Sequence, residues 1–525
     1  MKSFLTLEEL STEQKIGMLL CARYFHPDNE EDMAFTLELI RHHALGCVQV
    51  PFHRPDVMEQ ILATADYPLL IINDTEMGYP KSDLPKVPLM ALAACNNEEY
   101  YRVFARGVVH DSQKAGYNGT WGPVIDVLRA DGPCSVHRHF SDDPVRVAKA
   151  AEIIAQVYAD NHFLSCGKHY PGGNDPSHDM HMVNLPSDVS KDELVDFDLM
   201  PYRYLMDKGL LPSIMTGHRI YSKIDPEFPA TLSGKVNQVI RDLGFDGVCF
   251  TDSMAMMAIL QQYGEENVLG MAVAAGHDIV LPNYRTTTRQ SYEWLLQNYR
   301  DGVFTEERLN EAVRRVLAAQ AKVGATPMNP TVFTEQDRAT FDNIAKDCLT
   351  AIVDDGVEVA LPKHSNNRLF VILTDNEFSK EEESPEITTG VWYYPQRMAD
   401  KIRKEFPNAG IVFLPEFPGK TENERVLVAA TAYTEVVLIT YCTTGAYQGT
   451  DGLTRRAEYV LNALIRSGKV SAAVHFGNPF AVQTLLHTPR RLFGYMMPDS
   501  QLYAVDVLAG KLPAKGTLPF NIAYD

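Results

Sequence analysis

Over residues 10–325 apolar strand-like runs alternate with amphipathic helical ones. That alternation constrains the fold more than any other feature, because strands separated by helices pair in parallel. Candidate strands are read at 17–22, 46–52, 69–74, 117–127, 164–169, 211–218, 247–252 and 277–281. Helical stretches at 31–43, 98–114, 144–161 and 265–275 fall between them, and one at 306–323 closes the set. Eight is the strand number of a (β/α)8 TIM barrel. The ends of the runs say more than the count: Asp74, Asp126, Lys168, His169, His218 and Asp252 each terminate an apolar run, so a barrel gathers them on one rim. A doubly wound sheet would also collect them at its carboxyl edge, but this many strands in about 325 residues fit a closed barrel better.

Residues 326–350, opening Thr326-Pro327-Met328-Asn329-Pro330, read as a linker with a short helix. The pattern restarts at 368–374, 409–414, 436–440 and 472–476, with helical segments such as 455–467 between. The expected organisation is therefore an α/β barrel over 1–325 and a smaller, sandwich-like α/β domain over 351–525. Turns at Pro513, Gly516 and Pro519 and a closing strand are expected within 507–520.

Composition narrows the partners. The 525 residues are 45% hydrophobic, enough for proper cores, and carry a formal charge of −20. Such a surface works against phosphate backbones and anionic lipid, so neither nucleic acid nor membrane is an expected partner. Cys21, Cys47, Cys95, Cys134, Cys166, Cys249, Cys348 and Cys442 show no Cys-x-x-Cys spacing and read as buried reduced thiols. The N-terminal residues turn acidic at Glu8 and Glu9 before an apolar signal core can form, and no uncharged stretch is long enough to span a bilayer, so a cytoplasmic location is expected.

Chemistry concentrates in residues 164–186. A short apolar run ends on Lys168-His169; Pro171, Gly172 and Gly173 then forbid a helix, and Asp175, His178, Asp179 and His181 crowd the next residues. Two positions apart in a turning segment, the Asp179 carboxylate can bond one nitrogen of His181 and leave the other for proton transfer. Asp179, His181 and His178 are also residue types that bind zinc or iron, although a Gly- and Pro-rich loop is a poor rigid cage and no metal is expected.

Asp252 closes Phe245-Asp246-Gly247-Val248-Cys249-Phe250-Thr251 and suits a nucleophile; capping a helix over 253–260 is the plainer alternative. Lys168 and His169, as neighbours on a strand, would face opposite sides, and a salt bridge to a nearby acid is their plainer use. Asp74 and His218 can bind hydroxyls or serve the fold. Arg138 can hold a ligand or pair with Asp142.

Several segments, in order, resemble the family-3 glycoside hydrolases, specifically their β-N-acetylglucosaminidase branch. Gly122-Pro123-Val124-Ile125-Asp126-Val127 and Arg138-His139-Phe140-Ser141-Asp142-Asp143-Pro144 are similar to the family's Ala-Pro-Val-x-Asp-Val and Arg-Ser-Phe-x-x-Asp-Pro. Lys168-His169-Tyr170-Pro171-Gly172 resembles Lys-His-Phe-Pro-Gly, and Asp179-Met180-His181 stands where the branch has Asp-Ser-His. Met215-Thr216-Gly217-His218 and the run ending on Asp252 match two further segments. The departures are Gly173-Asn174, where the branch has His-Gly, and Met180.

The resemblance implies a retaining exo-glycosidase for β-linked N-acetylglucosamine or a related amino sugar, needing no cofactor. Asp252 would be the nucleophile and His181, oriented by Asp179, the acid and base; Asp74, Arg138, Lys168, His169 and His218 would bind the sugar, and Asp126 would support them. A phosphorylase of the same fold is the nearest alternative, since an imidazole repels an incoming anion less than a carboxylate does. A β-glucosidase or β-xylosidase follows, and then a sugar-binding protein on an inherited barrel.

Overall fold

The computed structural model describes residues 4–23, 29–50, 54–129, 136–173, 179, 181–183, 186–324, 331–362, 365, 367–374, 393–442, 452–485 and 487–522. Asp175, His178, Met180 and Cys134 lie outside them.

The expected α/β architecture with parallel sheets is present. Strands Cys21–Arg23, Cys47–Gln49, Leu70–Asn73 and Gly119–Thr120 pair in parallel in chain order. Gly167–Tyr170, Ser213–Thr216, Val248–Ser253 and Ile279–Leu281 form a second parallel sheet, again in chain order. Parallel bridges Gly119↔Leu164 and Val124↔Lys168 join the two sheets along one edge, and Leu20↔Val280 joins them along the other. Strand Leu70–Asn73 is buried throughout, as parallel strands covered on both faces must be.

Helices begin where capping chemistry starts them. Asn97 accepts the Glu99 N–H at the head of Glu98–Lys114, and Asp143 accepts the Val145 N–H ahead of Pro144–Asp160, with Pro144 in the first turn.

Three strand expectations shift for identifiable reasons. Gly17 and Met18 belong to helix Thr12–Met18, nucleated by a Ser11–Gln14 capping box, so the first strand is confined to Cys21–Arg23. Short apolar runs do not distinguish a buried helix end from a strand. The 117–127 run pairs regularly only at Gly119–Thr120, because Pro123 has no N–H to donate. The run ending on Asp252 extends to Ser253, and the helix expected from 253 starts at Met257, so Asp252 caps no helix. An antiparallel pair, Ile220–Tyr221 with Asp225–Pro229, was not expected.

The later sheet runs Thr350–Val353, Arg490–Phe493, Val470–Phe476, Glu435–Tyr441, Arg368–Thr374, Gly410–Pro415, parallel except for Thr350–Val353 at one edge. The four strands expected there are present; the two nearest one edge are additional. No strand forms within 507–520: helix Ser500–Leu508 ends there, and the extended segment beyond it bonds Gly516 N–H to Leu349 O and Thr517 N–H to Ala94 O. Pro513 and Pro519 cannot extend a ladder.

Apolar side chains of both parts form one continuous buried cluster. Cys21, Cys47, Cys166, Cys249 and Cys348 are buried free thiols within it, and Cys95 is half-buried. Among the described residues no helix is long and apolar enough to cross a membrane.

Candidate active site

The carboxyl ends of the parallel strands converge on a cluster of charged side chains. Asp252 is the next-to-last residue of Val248–Ser253, its side chain 19% exposed, with Oδ1 accepting the Ser253 N–H at 2.6 Å. Burial pushes its carboxyl up. The imidazoles of His169 and His218, the Ser253 N–H and Lys168 outweigh that, and its pKa falls from 3.8 to about 2. His169 Nε2 stands 3.9 Å from Asp252 Oδ2.

His169 is held from three sides. Asp126, itself buried, accepts both its backbone N–H and its Nδ1 at 2.8 Å. Arg138 Nη2 lies 3.0 Å from its Nε2. A guanidinium can only donate, so Nε2 accepts and the ring proton sits on Nδ1, facing Asp126; this tautomer is assigned from the network.

Lys168, buried, bonds Asp74 Oδ1 at 2.7 Å and Glu76 Oε1 at 2.5 Å. The alternation expected at this strand end fails: Lys168 and His169 both join the cluster, the peptide between them is cis, and the pairing register shifts between Lys168 and Tyr170. Glu76 is the hub. It takes Arg138 Nε and Nη2 in a bidentate pair at 2.8 and 2.7 Å as well as Lys168. Burial pushes Glu76 up, but the two cations hold it well below the usual carboxylate range; burial likewise works against Lys168 and Arg138, and the carboxylates hold both above their ordinary values. Arg138 therefore pairs with Glu76, while Asp142 accepts the N–H of Asn521.

Asp179 and His181 form the expected pair. Asp179 Oδ1 accepts His181 Nδ1 at 2.8 Å and the His181 backbone N–H at 2.9 Å, which commits Nδ1 and leaves proton transfer to Nε2. The His181 carbonyl accepts Met257 N–H at 3.0 Å, fastening this turn to the segment that follows Asp252. Among the described residues no group of three or more His, Cys, Asp or Glu is placed to hold a metal ion.

His218 is placed differently from the other strand-end residues. It is fully buried, with Nδ1 2.6 Å from Thr231 Oγ1 and Nε2 2.9 Å from Ser253 O, so it braces the strand that carries Asp252. Burial lowers its pKa; Asp252 and the Ser253 carbonyl oppose this, and His181 and His169 add to it, so the three imidazoles and Asp252 form one electrostatic cluster.

Two parts of the site were not foreseen. Glu76, three residues past strand Leu70–Asn73, reads in the sequence as an ordinary loop acid close to Asp74. Arg23, at the end of the first strand, donates Nη1 to the hydroxyl of Ser253, the residue after Asp252, and Nε to Gln49 Oε1 at 2.8 Å. The Gly173 departure also has a structural basis. Its φ is +67°, a backbone conformation that side chains rarely adopt, a Cβ there would crowd Leu194 and Tyr221 at 3.3 Å, and its N–H and C=O are engaged by Asp198 and Arg219, so glycine suits the position.

Comparison with known proteins bears on this cluster. Residues 12–319, more than half the chain, match the family model for the glycosyl hydrolase family 3 N-terminal domain. A β-N-acetylglucosaminidase/β-glucosidase of Cellulomonas fimi is 28% identical over 61% of this chain and 59% of its own length. A β-hexosaminidase of Neisseria gonorrhoeae is 35% identical over 32% of this chain and 46% of its own. The chain thus spans between about half and three-fifths of these relatives. A solved family-3 β-N-acetylglucosaminidase of Paenibacillus sp. str. FPU-7 superposes with a TM-score of 0.81 at 22% identity, covering 98% of this chain and all of that one. A β-glucoside phosphorylase superposes at 0.80 and 19% identity, covering 98% and 94%. With the family model spanning the strands and loops that build the charged cluster, the chain belongs to glycosyl hydrolase family 3.

Proposed function

We propose that the protein is a retaining glycosidase that removes β-linked N-acetylglucosamine, or a closely related amino sugar, from a non-reducing end. One observation carries the reading. A His181–Asp179 pair is fastened through Met257 to the segment following a strand-end carboxylate whose pKa is held near 2.

Asp252, ionised at working pH, attacks the anomeric carbon while His181 Nε2 gives its proton to the departing oxygen, leaving a glycosyl ester on Asp252 and a neutral imidazole. The same imidazole then takes a proton from water, whose oxygen attacks the anomeric carbon and releases Asp252 with net retention. Asp179 keeps the imidazole in the right tautomer. Asp74, Arg138, Lys168 and His169 bind sugar hydroxyls, and His218 supports them from beneath. We read the eight parallel strands as a (β/α)8 barrel over 1–325, with a linker over 326–350 and an α/β domain over 351–525. The bridges Gly119↔Leu164 and Leu20↔Val280, one at each seam between the two sheets, support closure.

The amino-sugar preference rests on the names of the two curated relatives, one of which includes β-glucosidase. A panel of aryl β-glycosides (N-acetylglucosaminide, glucoside, xyloside, N-acetylgalactosaminide) tests it, with fastest turnover expected on the first. The same panel run with inorganic phosphate addresses phosphorolysis, which the imidazole acid favours because it is uncharged when the second nucleophile arrives. A sugar 1-phosphate product would convert the reading to a phosphorylase. Turnover untouched by Asp252→Ala would overturn both.

A further inference from the structure

Arg138 is not on a strand. It ends a short 3-10 turn, Val136–Arg138, and the four residues after it decide where its guanidinium starts from. That segment is anchored locally by Leu128 N–H on Ser141 O at 3.1 Å and by the Asp143 cap of the next helix. Two more anchors come from the far end of the chain. The fully buried Ser141 hydroxyl donates to Pro519 O at 2.8 Å, and Asp142 Oδ2 accepts Asn521 N–H at 2.7 Å.

The C-terminal segment is itself firmly seated. Gly516 N–H bonds Leu349 O and Thr517 N–H bonds Ala94 O, both at 2.9 Å, and Phe520 is buried with its ring 5.7 Å from that of Phe480. A Cβ at Gly516 would stand 2.3 Å from Cys348 O, so only glycine allows this approach. Ala94 lies on helix Leu89–Cys95, which packs against the Val136–Arg138 turn. A tail that merely finished the later sheet would need no buried hydroxyl and no carboxylate from the first half of the chain; hydrogen bonds to a charged acceptor are among the stronger ones.

We infer that residues 516–521 act as a strap that positions Arg138 through Ser141 and Asp142, so that the C-terminal part of the chain sets affinity for the sugar. The inference rests on the reading that Arg138 binds a sugar hydroxyl. Ser141 and Asp142 are positioning residues in it.

Both ends of one bond can be tested in the full-length chain. Asn521→Pro deletes the N–H and Asp142→Ala deletes its acceptor, whereas Asn521→Ala and Asp142→Asn each keep the bond. With the aryl glycoside that the parent turns over best, the two deletions are expected to raise KM about tenfold with kcat within about twofold, and the two controls to match the parent. Backbone hydrogen exchange over 136–143 should quicken in the deletions alone. A KM at the parent's value, with kcat falling only as the folded fraction falls, would mean that the strap serves the fold and nothing else. Should one deletion fail to fold, the other side of the same bond decides. A parent that turns over no glycoside defeats the proposed function and with it the effect on sugar affinity, but not the positioning of Arg138 by the strap, which then stands if exchange quickens over 136–143 and falls if the change stays within 513–522.

Discussion

His181 and Met257 are joined main chain to main chain, the His181 carbonyl accepting the Met257 N–H at 3.0 Å. Met257 follows Asp252 by five residues, so one main-chain hydrogen bond ties the residue of the proposed acid to the segment that follows the proposed nucleophile. Pre-set geometry of this kind removes orientation cost from the chemical step.

With the imidazole so held, His181→Ala should lower kcat by about 10²- to 10⁴-fold on glycosides with poor leaving groups, the range expected for general acid–base catalysis. On a dinitrophenyl glycoside, whose leaving group needs no proton, the first step should lose far less. Burst kinetics of dinitrophenol release in the variant measure this. An equal loss on both substrates would take the acid role from His181.

Asp252 makes a pH prediction of definite sign. Its pKa is depressed from 3.8 to about 2. The ionised form that the folded site favours is therefore fully populated above about pH 4 and is lost only as pH falls through about 2. Any acid limb of kcat/KM above pH 4 must belong to another group. Burial alone would raise this pKa, and the fixed positive charge of Lys168 is among the influences opposing it, so Lys168→Met should move protonation of Asp252 upward. The pH dependence of trapping by a mechanism-based fluoro-glycoside reads the shift directly; an unmoved profile would show that Lys168 does not hold the carboxyl down.

Glu76 neutralises Arg138 and Lys168 together inside the site. Its removal as Glu76→Ala takes the bidentate carboxylate from the part-buried Arg138 and leaves the buried Lys168 to Asp74 alone, and breaking a buried pair from one side costs about 3–5 kcal/mol. Denaturant unfolding should show a loss of that order, with kcat/KM reduced as well. Glu76→Gln, which preserves shape and one acceptor oxygen, should retain more stability than Glu76→Ala.

The polar strand ends were legible because a charged residue that closes an apolar run can only lie where the strand leaves the core; Lys168, His169 and Asp252 follow that logic. Direction was not legible. His218 closes its run just as Lys168 does, yet it turns inward to Thr231 and Ser253, because a Thr hydroxyl and a backbone carbonyl from other segments wait there. Partners were not legible either. Arg138 meets Glu76 rather than its neighbour Asp142, and Asp142 is taken by Asn521, contacts between segments that no local pattern encodes. The Asp179–His181 pair was readable because it closes within a single turn.

Asp126 offers a substitution in which shape is kept and only the direction of one hydrogen bond changes. Its carboxylate accepts twice from His169, at the backbone N–H and at Nδ1, both at 2.8 Å. In Asp126→Asn one oxygen can still take the backbone N–H, but the amide NH2 then faces Nδ1 and must find an acceptor there. The ring proton is driven to Nε2, where Arg138 Nη2, 3.0 Å away, can only donate. Two donors then oppose each other beside Asp252, and either His169 or Arg138 must swing away. Displacing a substrate-positioning group by about 1 Å costs on the order of 10²-fold, so kcat/KM should fall by that order, with a smaller loss for Asp126→Glu, which keeps an acceptor. Nitrogen-15 chemical shifts of the His169 ring report the tautomer independently of turnover. A ring still protonated on Nδ1 in Asp126→Asn would show that Asp126 does not set it.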